Sequence, residues 1–205
     1  MKLVAVAVLG SCALMAPAQL SYTFDADNQG WQQGNLDTAS MTLSNLGPAQ
    51  WNSGGFIDGP DFAAFAFHVS PILTGSHEWA YGHEISFDYR TDFSDNTVYP
   101  FLVLGNGTEA IFQQALITTS PTFGHYSYNL SAAGGWAYFH AGAVSAATET
   151  DIRHVLSTMT QFGVNADEHS GQDYSALDNV SVVPEPASVL ALASGLVALI
   201  RRRKR

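Results

Sequence analysis

The stretch from Gln19 to Val183 contains no lysine and only two arginines, Arg90 and Arg153. The same stretch has 17 acidic residues, which together with the two arginines give it a formal net charge of −15. A surface this acidic repels phosphate backbones and anionic lipid headgroups, which excludes nucleic acid as a partner. Divalent cations and neutral glycans suit such a charge better.

Cysteine is almost absent, because the chain has only Cys12. It lies in an N-terminal segment that starts with Met and Lys, continues with an apolar run and ends in Ala16-Pro17-Ala18. This pattern is typical of a secretory signal, and we expect cleavage between Ala18 and Gln19. The mature protein would then have no cysteine, which excludes disulfides, thiolate nucleophiles and cysteine-ligated metals. A lipoprotein signal is the alternative, since residues 9–12 loosely match a lipobox.

The C-terminal end has a Pro-Glu-Pro sequence, an uncharged stretch and a basic cluster, in that order. The uncharged stretch, 187–200, would make about 21 Å of helix, short of the ~30 Å hydrocarbon core, so flanking residues would have to complete a transmembrane span. By the positive-inside rule the terminal cations stay in the cytoplasm and the preceding domain lies outside. These cations are Arg201, Arg202, Arg203, Lys204 and Arg205.

Pro184, Glu185 and Pro186, followed by an apolar run and an arginine cluster, resemble the PEP-CTERM sorting signal of exosortase substrates. The resemblance implies a Gram-negative bacterium that makes exopolysaccharide. It also implies removal of the tail near Val183 by an exosortase of the inner membrane, and a cell-surface or matrix location afterwards. An ordinary single-pass anchor is the alternative. We therefore divide the chain into a signal peptide (1–18), a central domain (19–183) and a sorting signal (184–205).

Turn-forming residues interrupt the central domain about every ten residues, and aromatic and β-branched residues form short runs between them. This spacing is typical of many short strands. One helix is expected at Asp151–Ser157, because Thr148 stands at capping-box distance before Asp151. We predict an all-β, jelly-roll-like antiparallel sandwich with one short helix. The predicted strands lie near 22–24, 40–46, 63–69, 84–89, 98–104, 110–117, 125–130, 136–140, 160–165 and 177–182.

Two stretches resemble the laminin B (laminin IV type A) domain. Tyr81–Asp88 is similar to its Tyr-Gly-Gly-x-Leu-x-Phe segment, and the run from Asp151 to the Leu-Asp-Asn-Val at 177–180 is similar to its closing helix and strand. The opening segment Phe24–Trp31 resembles the first turn of many secreted sandwich modules. The sequence departs from the family at His83, where a second glycine is usual, and it lacks the Arg-x-Arg of the penultimate strand. The resemblance implies a jelly roll like that of galactose-binding modules.

No catalytic motif is present, and we predict no catalytic residues. His77 and His83 are six positions apart with Gly82 between them, so they cannot share the helix face that a His-Glu-x-x-His zinc site requires. We interpret them as exposed loop histidines. The nucleophile elbow Gly-x-Ser-x-Gly is also missing. Carboxylates are plentiful but no pair stands out, so a polysaccharide hydrolase remains an alternative.

Tryptophan rings can stack on the apolar faces of sugars while polar neighbours bond the hydroxyls. Trp51, Trp79 and Trp136 are the candidates for such contacts, whereas we expect Trp31 in the core. The leading hypothesis is a non-catalytic extracellular module that binds exopolysaccharide or another glycan. A purely structural matrix component is a further alternative.

A structural Ca²⁺ is also predicted, on Asp25, Asp27 and Asp178. The first two aspartates flank the opening turn, and the third lies in the closing strand. First and last strands would be neighbours in such a fold, which would bring together the hard oxygen ligands that Ca²⁺ prefers. The alternative is that these aspartates cap their own turns.

Overall fold

The computed structural model describes residues 20–60, 65–171 and 173–183, without the side chains of Pro60 and Val183. The predicted signal peptide, the cleavage position between Ala18 and Gln19, and the tail 184–205 lie outside this range. In the part of the chain that the structure describes, no helix is long and apolar enough to cross a membrane.

The described residues form two antiparallel sheets and one α-helix, α1, at Glu149–Thr158. The strands are β1 (Leu20–Tyr22), β2 (Gln32–Asp37), β3 (Thr42–Pro48), β4 (Gln50–Asn52), β5 (Phe56–Pro60), β6 (Ala66–Val69), β7 (Glu84–Thr91), β8 (Val98–Gly105), β9 (Glu109–Leu116), β10 (Ser120–Asn129), β11 (Ala137–His140), β12 (Ala143–Ala146), β13 (Gln161–Asn165) and β14 (Tyr174–Val183).

The six-stranded sheet has the order β10-β7-β14-β5-β4, and β1 joins it by pairing with β14. The eight-stranded sheet has the order β12-β11-β9-β8-β13-β6-β2-β3. The closing strand β14 is central, because it pairs with β7 along one side and with β5 and β1 along the other. The predicted all-β antiparallel sandwich is therefore confirmed.

The core lies between the sheets. On β7 the alternate residues Ile85, Phe87 and Tyr89 are buried, so they share the face of the strand that points into the core. Leu102 and Leu104 of β8 belong to the same core. Burial of each such aliphatic or phenylalanine side chain stabilises the fold by about 1.5–3 kcal/mol.

Helix α1 closes one part of the core with Ile152, Val155 and Leu156, all buried. The predicted capping box is present: the Asp151 N–H donates to the Thr148 hydroxyl oxygen at 3.3 Å, and the Thr148 N–H donates to the Asp151 carboxylate at 2.9 Å. The helix begins at Glu149, two residues before the predicted start.

Trp31 is fully buried, which confirms its predicted place in the core. Its ring makes edge contacts with Tyr22, Phe24 and Phe162, at centroid distances of 5.4, 5.7 and 5.3 Å. Phe162 belongs to β13 of the eight-stranded sheet, and Tyr22 belongs to β1 of the six-stranded sheet. Trp31 therefore packs the opening segment against both sheets.

The outer face of the eight-stranded sheet carries a second apolar cluster that includes Phe67, Val69, Val103 and Phe112. Leu43 of β3 packs over Gly163, where an added Cβ would lie 3.0 Å from both Leu43 and Phe67. The β2–β3 hairpin therefore curls over this face and covers part of it.

Four strands were not predicted: β2, β4, β5 and β12. The first is rich in Gln, Gly and Asn, β5 contains Gly59 and Pro60, and β12 is short and exposed. None of them has the alternating apolar pattern of a half-buried strand. Residues 63 and 64 of the predicted strand 63–69 lie outside the described ranges, and the observed strand starts at Ala66.

Candidate functional site

The outer face of the six-stranded sheet carries an aromatic patch, which we define as Phe56 of β5, Arg90 of β7 and Phe123 of β10. The two phenyl centroids are 5.6 Å apart, with an interplanar angle of 65°. The Arg90 guanidinium carbon lies 4.9 Å from the Phe56 centroid and 5.1 Å from that of Phe123. This is cation–π geometry. Phe123 keeps 37% of its surface exposed, so its ring is open to a ligand.

Polar groups border the patch. The Asp58 carboxylate is buried and accepts hydrogen bonds from the Asn52 amide, at 3.3 Å, and from the Tyr174 hydroxyl. Burial, followed by the hydrogen bond to Asp58, raises the pKa of Tyr174 well above its usual value. Tyr174 therefore stays a protonated donor over the physiological pH range. Arg90 donates to the Pro121 carbonyl oxygen at 3.3 Å, which fixes the guanidinium over the rings.

This arrangement joins flat apolar rings to fixed donors and acceptors on one sheet face. Rings of this kind stack on the apolar face of a sugar, and neighbouring amide and guanidinium groups bond its hydroxyls. The sequence did not point to the patch, because β5 was not predicted and the pairing of β10 with β7 depends on long-range register.

The three candidate tryptophans belong to different elements, and the structure does not join them into one platform. Trp51 of β4 is 38% exposed, and its indole N–H donates to the Phe24 carbonyl oxygen at 2.6 Å. It pairs with the core residue Ile57, whereas the next residue, Asn52, pairs with Phe56. Trp51 thus lies on the opposite side of this edge strand from the aromatic patch.

Trp79 is partly buried in the 3-10 turn Glu78–Ala80, with its ring centroid 6.5 Å from those of His77 and His83. Trp136 is only 2% exposed and donates to the Asn129 carbonyl oxygen at 2.7 Å. We therefore leave Trp136 out of the proposed glycan contacts. The expected exposure of His77 is wrong: it is 7% exposed, and burial lowers its pKa.

Asp25 and Asp178, two of the three predicted calcium ligands, lie near each other. Strand β1 pairs with β14, as the prediction required, and Asp178 of β14 is paired with Asp88 of β7. Burial raises the pKa of Asp178, and the charges of Asp88 and Asp25 add to the increase. Asp27 instead caps its own turn by accepting the Gln29 N–H at 2.8 Å. In the described ranges no group of three or more His, Cys, Asp or Glu side chains is placed to hold a metal.

A further group of side chains, which we call the histidine cluster, consists of Glu109, Tyr138, His140 and His154 and could not be predicted from the sequence. The Glu109 carboxylate accepts from the Tyr138 hydroxyl at 3.0 Å and lies 2.6 Å from His140 Nδ1 and 2.8 Å from His154 Nε2. These residues come from β9, β11 and α1 and are up to 45 positions apart. Only the folded chain brings them together.

The model of one family, the PEP-CTERM protein-sorting motif, matches residues 182–205. The chain carries a PEP-CTERM sorting signal. It is accordingly an exported protein that is processed at its C terminus, as the terminal pattern predicted. The matched region begins at Val182, a buried residue of β14, so it overlaps the last two residues of that strand.

The L4b domain of human laminin alpha-2 has a similar structure, with a TM-score of 0.60 and 15% sequence identity, over 82% of this chain and 98% of that one. At this identity the likeness shows the fold alone, and it agrees with the expected laminin B-like sandwich. The solution structure of CtCBM11 aligns with a TM-score of 0.41 and 10% identity, over 82% of this chain and 88% of that one. No curated protein matches the sequence significantly.

Proposed function

We propose that the chain is an exosortase substrate whose exported domain is a non-catalytic module that binds a neutral glycan through the aromatic patch. The observation that carries the proposal is the Phe56–Arg90–Phe123 arrangement on an open sheet face. The sorting signal supports a location at the surface of a Gram-negative cell, and the ligand that we propose there is matrix polysaccharide.

The charge distribution supports a neutral ligand. Arg90 is one of two basic residues between Gln19 and Val183, and its guanidinium already makes cation–π contacts with two phenyl rings. The other basic residue, Arg153, is paired with Glu149 and Glu78, and a polyanion would be repelled by the net charge of the domain. A neutral sugar loses nothing to this repulsion and gains stacking and hydrogen bonds.

A glycan array that includes the host's own polysaccharide tests the proposal. The Phe123→Ala variant should bind about tenfold more weakly or worse, a loss of about 1.4 kcal/mol, because one stacking surface is removed. Val144→Ala is the matched control, since Val144 is 61% exposed on β12 of the other sheet. Unchanged binding by Phe123→Ala would refute the assigned surface. Binding to no glycan would favour a purely structural matrix role, and polysaccharide turnover would favour a hydrolase.

The exosortase step is tested separately. Replacing Pro184, Glu185 and Pro186 by alanine should leave a membrane-bound form of higher mass in an exosortase-positive host, and Ser188→Ala should be processed normally. Mass spectrometry of the mature protein gives the processing site. Deleting Arg201 to Arg205 should impair the stop in the inner membrane or the orientation there. Equal masses for the alanine variant and the parent would rule out processing at this motif.

A further inference from the structure

A fully buried glutamate lies in the loop between β13 and β14. Glu168 has no exposed surface, and neither of its carboxylate oxygens has a hydrogen-bond partner. Its backbone, in contrast, is held on both sides: the N–H donates to Asp173 Oδ2 at 2.8 Å, and the carbonyl oxygen accepts the Asp95 N–H at 2.8 Å. The position of the residue is therefore fixed while its charged group has no partner.

A second carboxylate lies beside it. Asp173 is 3% exposed, and its contact with the Glu168 N–H places the two acids next to each other. Two neighbouring buried carboxylates repel each other, and burial disfavours the charged form of each. A proton on one of the two acids, or a cation bound by both, would relieve this repulsion.

The remaining groups around Glu168 do not supply a positive charge. Asp167 is acidic, and the hydroxyls of Tyr89, Tyr126 and Tyr128 are near enough for Glu168 to help raise their pKa values, although burial is the larger cause for each tyrosine. On β6, His68 is buried with its Nε2 3.0 Å from the Ser175 hydroxyl, and burial lowers its pKa to about 3, so it is neutral.

Both arginines of the domain are engaged elsewhere. Arg90 lies over the aromatic patch on the outer face of the sheet. Arg153 pairs with Glu149 at 2.8 Å and Glu78 at 3.4 Å, and its guanidinium carbon is 3.8 Å from the Tyr81 centroid. The neighbouring His169 pairs with Asp95 at 2.5 Å. Since the domain has no lysine, no described basic side chain is left for the Glu168 carboxylate.

Without a cation, Glu168 holds a proton. Burial, then the charges of Asp173 and Asp167, raise the pKa of Glu168 to about 8. A metal ion binds only the deprotonated carboxylate, so its binding would displace this proton.

We propose that Glu168 and Asp173 form a buried site for a divalent cation, of which Ca²⁺ is the species that fits. Carboxylate oxygens are hard ligands, and a site with no sulfur ligand and no histidine ligand favours Ca²⁺ or Mg²⁺ over Zn²⁺. Ca²⁺ gives up its hydration shell more readily than Mg²⁺, which suits a buried position. The other ligands would be backbone carbonyl oxygens and water, since the described residues offer no third acidic or histidine ligand. This site is separate from the one predicted on Asp25, Asp27 and Asp178.

Terbium provides the test, because Tb³⁺ substitutes for Ca²⁺ and its emission is sensitised by nearby tyrosine. Tyr89 and Tyr126 should sensitise Tb³⁺ bound to the full chain, and added CaCl₂ should quench the signal. Glu168→Gln keeps the size of the side chain and removes its charge, and should weaken Tb³⁺ binding about 100-fold. Glu84→Gln, an exposed glutamate on β7, is the matched control and should bind as the parent does.

A second measurement separates the two calcium sites. Calorimetric titration of the full chain with Ca²⁺ at pH 7 should show a binding step in the parent that Glu168→Gln lacks and Asp178→Asn keeps. A circular dichroism spectrum dominated by β-structure confirms that the variant is folded. Tb³⁺ binding that survives Glu168→Gln but is lost in Asp178→Asn would overturn the proposal. Absence of binding to the parent would also overturn it and would leave a protonated acid pair.

Discussion

Two glutamates of this domain lie in opposite surroundings. Glu109 is mostly covered, yet a tyrosine hydroxyl and two histidines surround its carboxylate. Glu168 is fully buried among acids and tyrosines, and no hydrogen-bond donor reaches its oxygens. The same residue type therefore stabilises the fold in one place, and in the other it needs a proton or a metal ion. Removal of charge should then have opposite effects at the two positions.

The largest effect is expected from pH in the presence of chelator. The pKa of Glu168 in the folded state is about 8, well above that of an unfolded glutamate, so the native state binds the extra proton. The free energy of unfolding should therefore fall as the pH rises from about 4.5 to 8 and then level off, by about 3–5 kcal/mol in all. Urea unfolding at pH 5, 7 and 9 measures the fall. Glu168→Gln should be more stable than the parent at pH 9. If the free energy of unfolding changed with pH in the same way for both proteins, Glu168 would not be the cause of the fall.

The second effect concerns Asp25 and Asp178, the two acids near β1 and β14. If Asp25 and Asp178 bind Ca²⁺, the Glu168→Gln protein should still melt several degrees higher in millimolar CaCl₂, since a hundredfold excess of ligand over its Kd stabilises by about 2.7 kcal/mol. Adding Asp178→Ala should abolish this rise. A melting temperature that chelator leaves unchanged in Glu168→Gln would show that Asp25 and Asp178 bind no calcium.

A smaller effect of opposite sign is expected at the histidine cluster. Glu109→Gln keeps an acceptor for Tyr138 but removes the charge that faces His140 and His154. The free energy of unfolding should fall by about 1 kcal/mol, because charge-assisted contacts of a partly buried carboxylate are lost. Urea unfolding at pH 6 tests this. A gain in stability would mean that the two glutamates are not in opposite environments.

The smallest effect is expected from an acid–histidine pair at the surface. The side chain of His125 is 63% exposed, and its Nδ1 lies 2.7 Å from Asp88. His125→Ala should change stability by less than about 0.5 kcal/mol, as is usual for solvent-screened pairs. A loss above 1 kcal/mol in urea unfolding would show that exposure alone does not distinguish this acid–histidine pair from the more covered pairs that Glu109 makes with His140 and His154.

The comparison also shows what the sequence could predict. Ile85, Phe87 and Tyr89 alternate with polar residues, and Thr148 precedes Asp151 at a fixed distance, so β7 and α1 could be recognised from local pattern. Strand β5 could not, because Gly59 and Pro60 are typical of loops. Strand β5 forms because it pairs with β14 through backbone hydrogen bonds.

The site residues were harder to predict for the same reason. Glu168 stands in an Ala-Asp-Glu-His-Ser-Gly sequence that is typical of a solvated loop, and only contacts with Asp95 and Asp173 bury it. Phe56 and Phe123 are 67 positions apart and meet through the register of four strands. Trp136 follows two glycines, and nothing in the sequence around it predicted that it is buried.

The scarcity of basic residues affects how well the domain resists proteolysis outside the cell. Trypsin-like proteases cut after lysine or arginine, and between residues 20 and 183 they find only Arg90 and Arg153. Arg90 lies within strand β7 with its guanidinium against two phenyl rings, and Arg153 lies within helix α1 and forms ion pairs with two glutamates. Cleavage needs an extended, accessible chain, which neither position offers in the folded state. The folded domain is therefore a poor substrate for this whole class of enzymes, and losing the arginine-rich tail removes the remaining cluster of cleavable bonds.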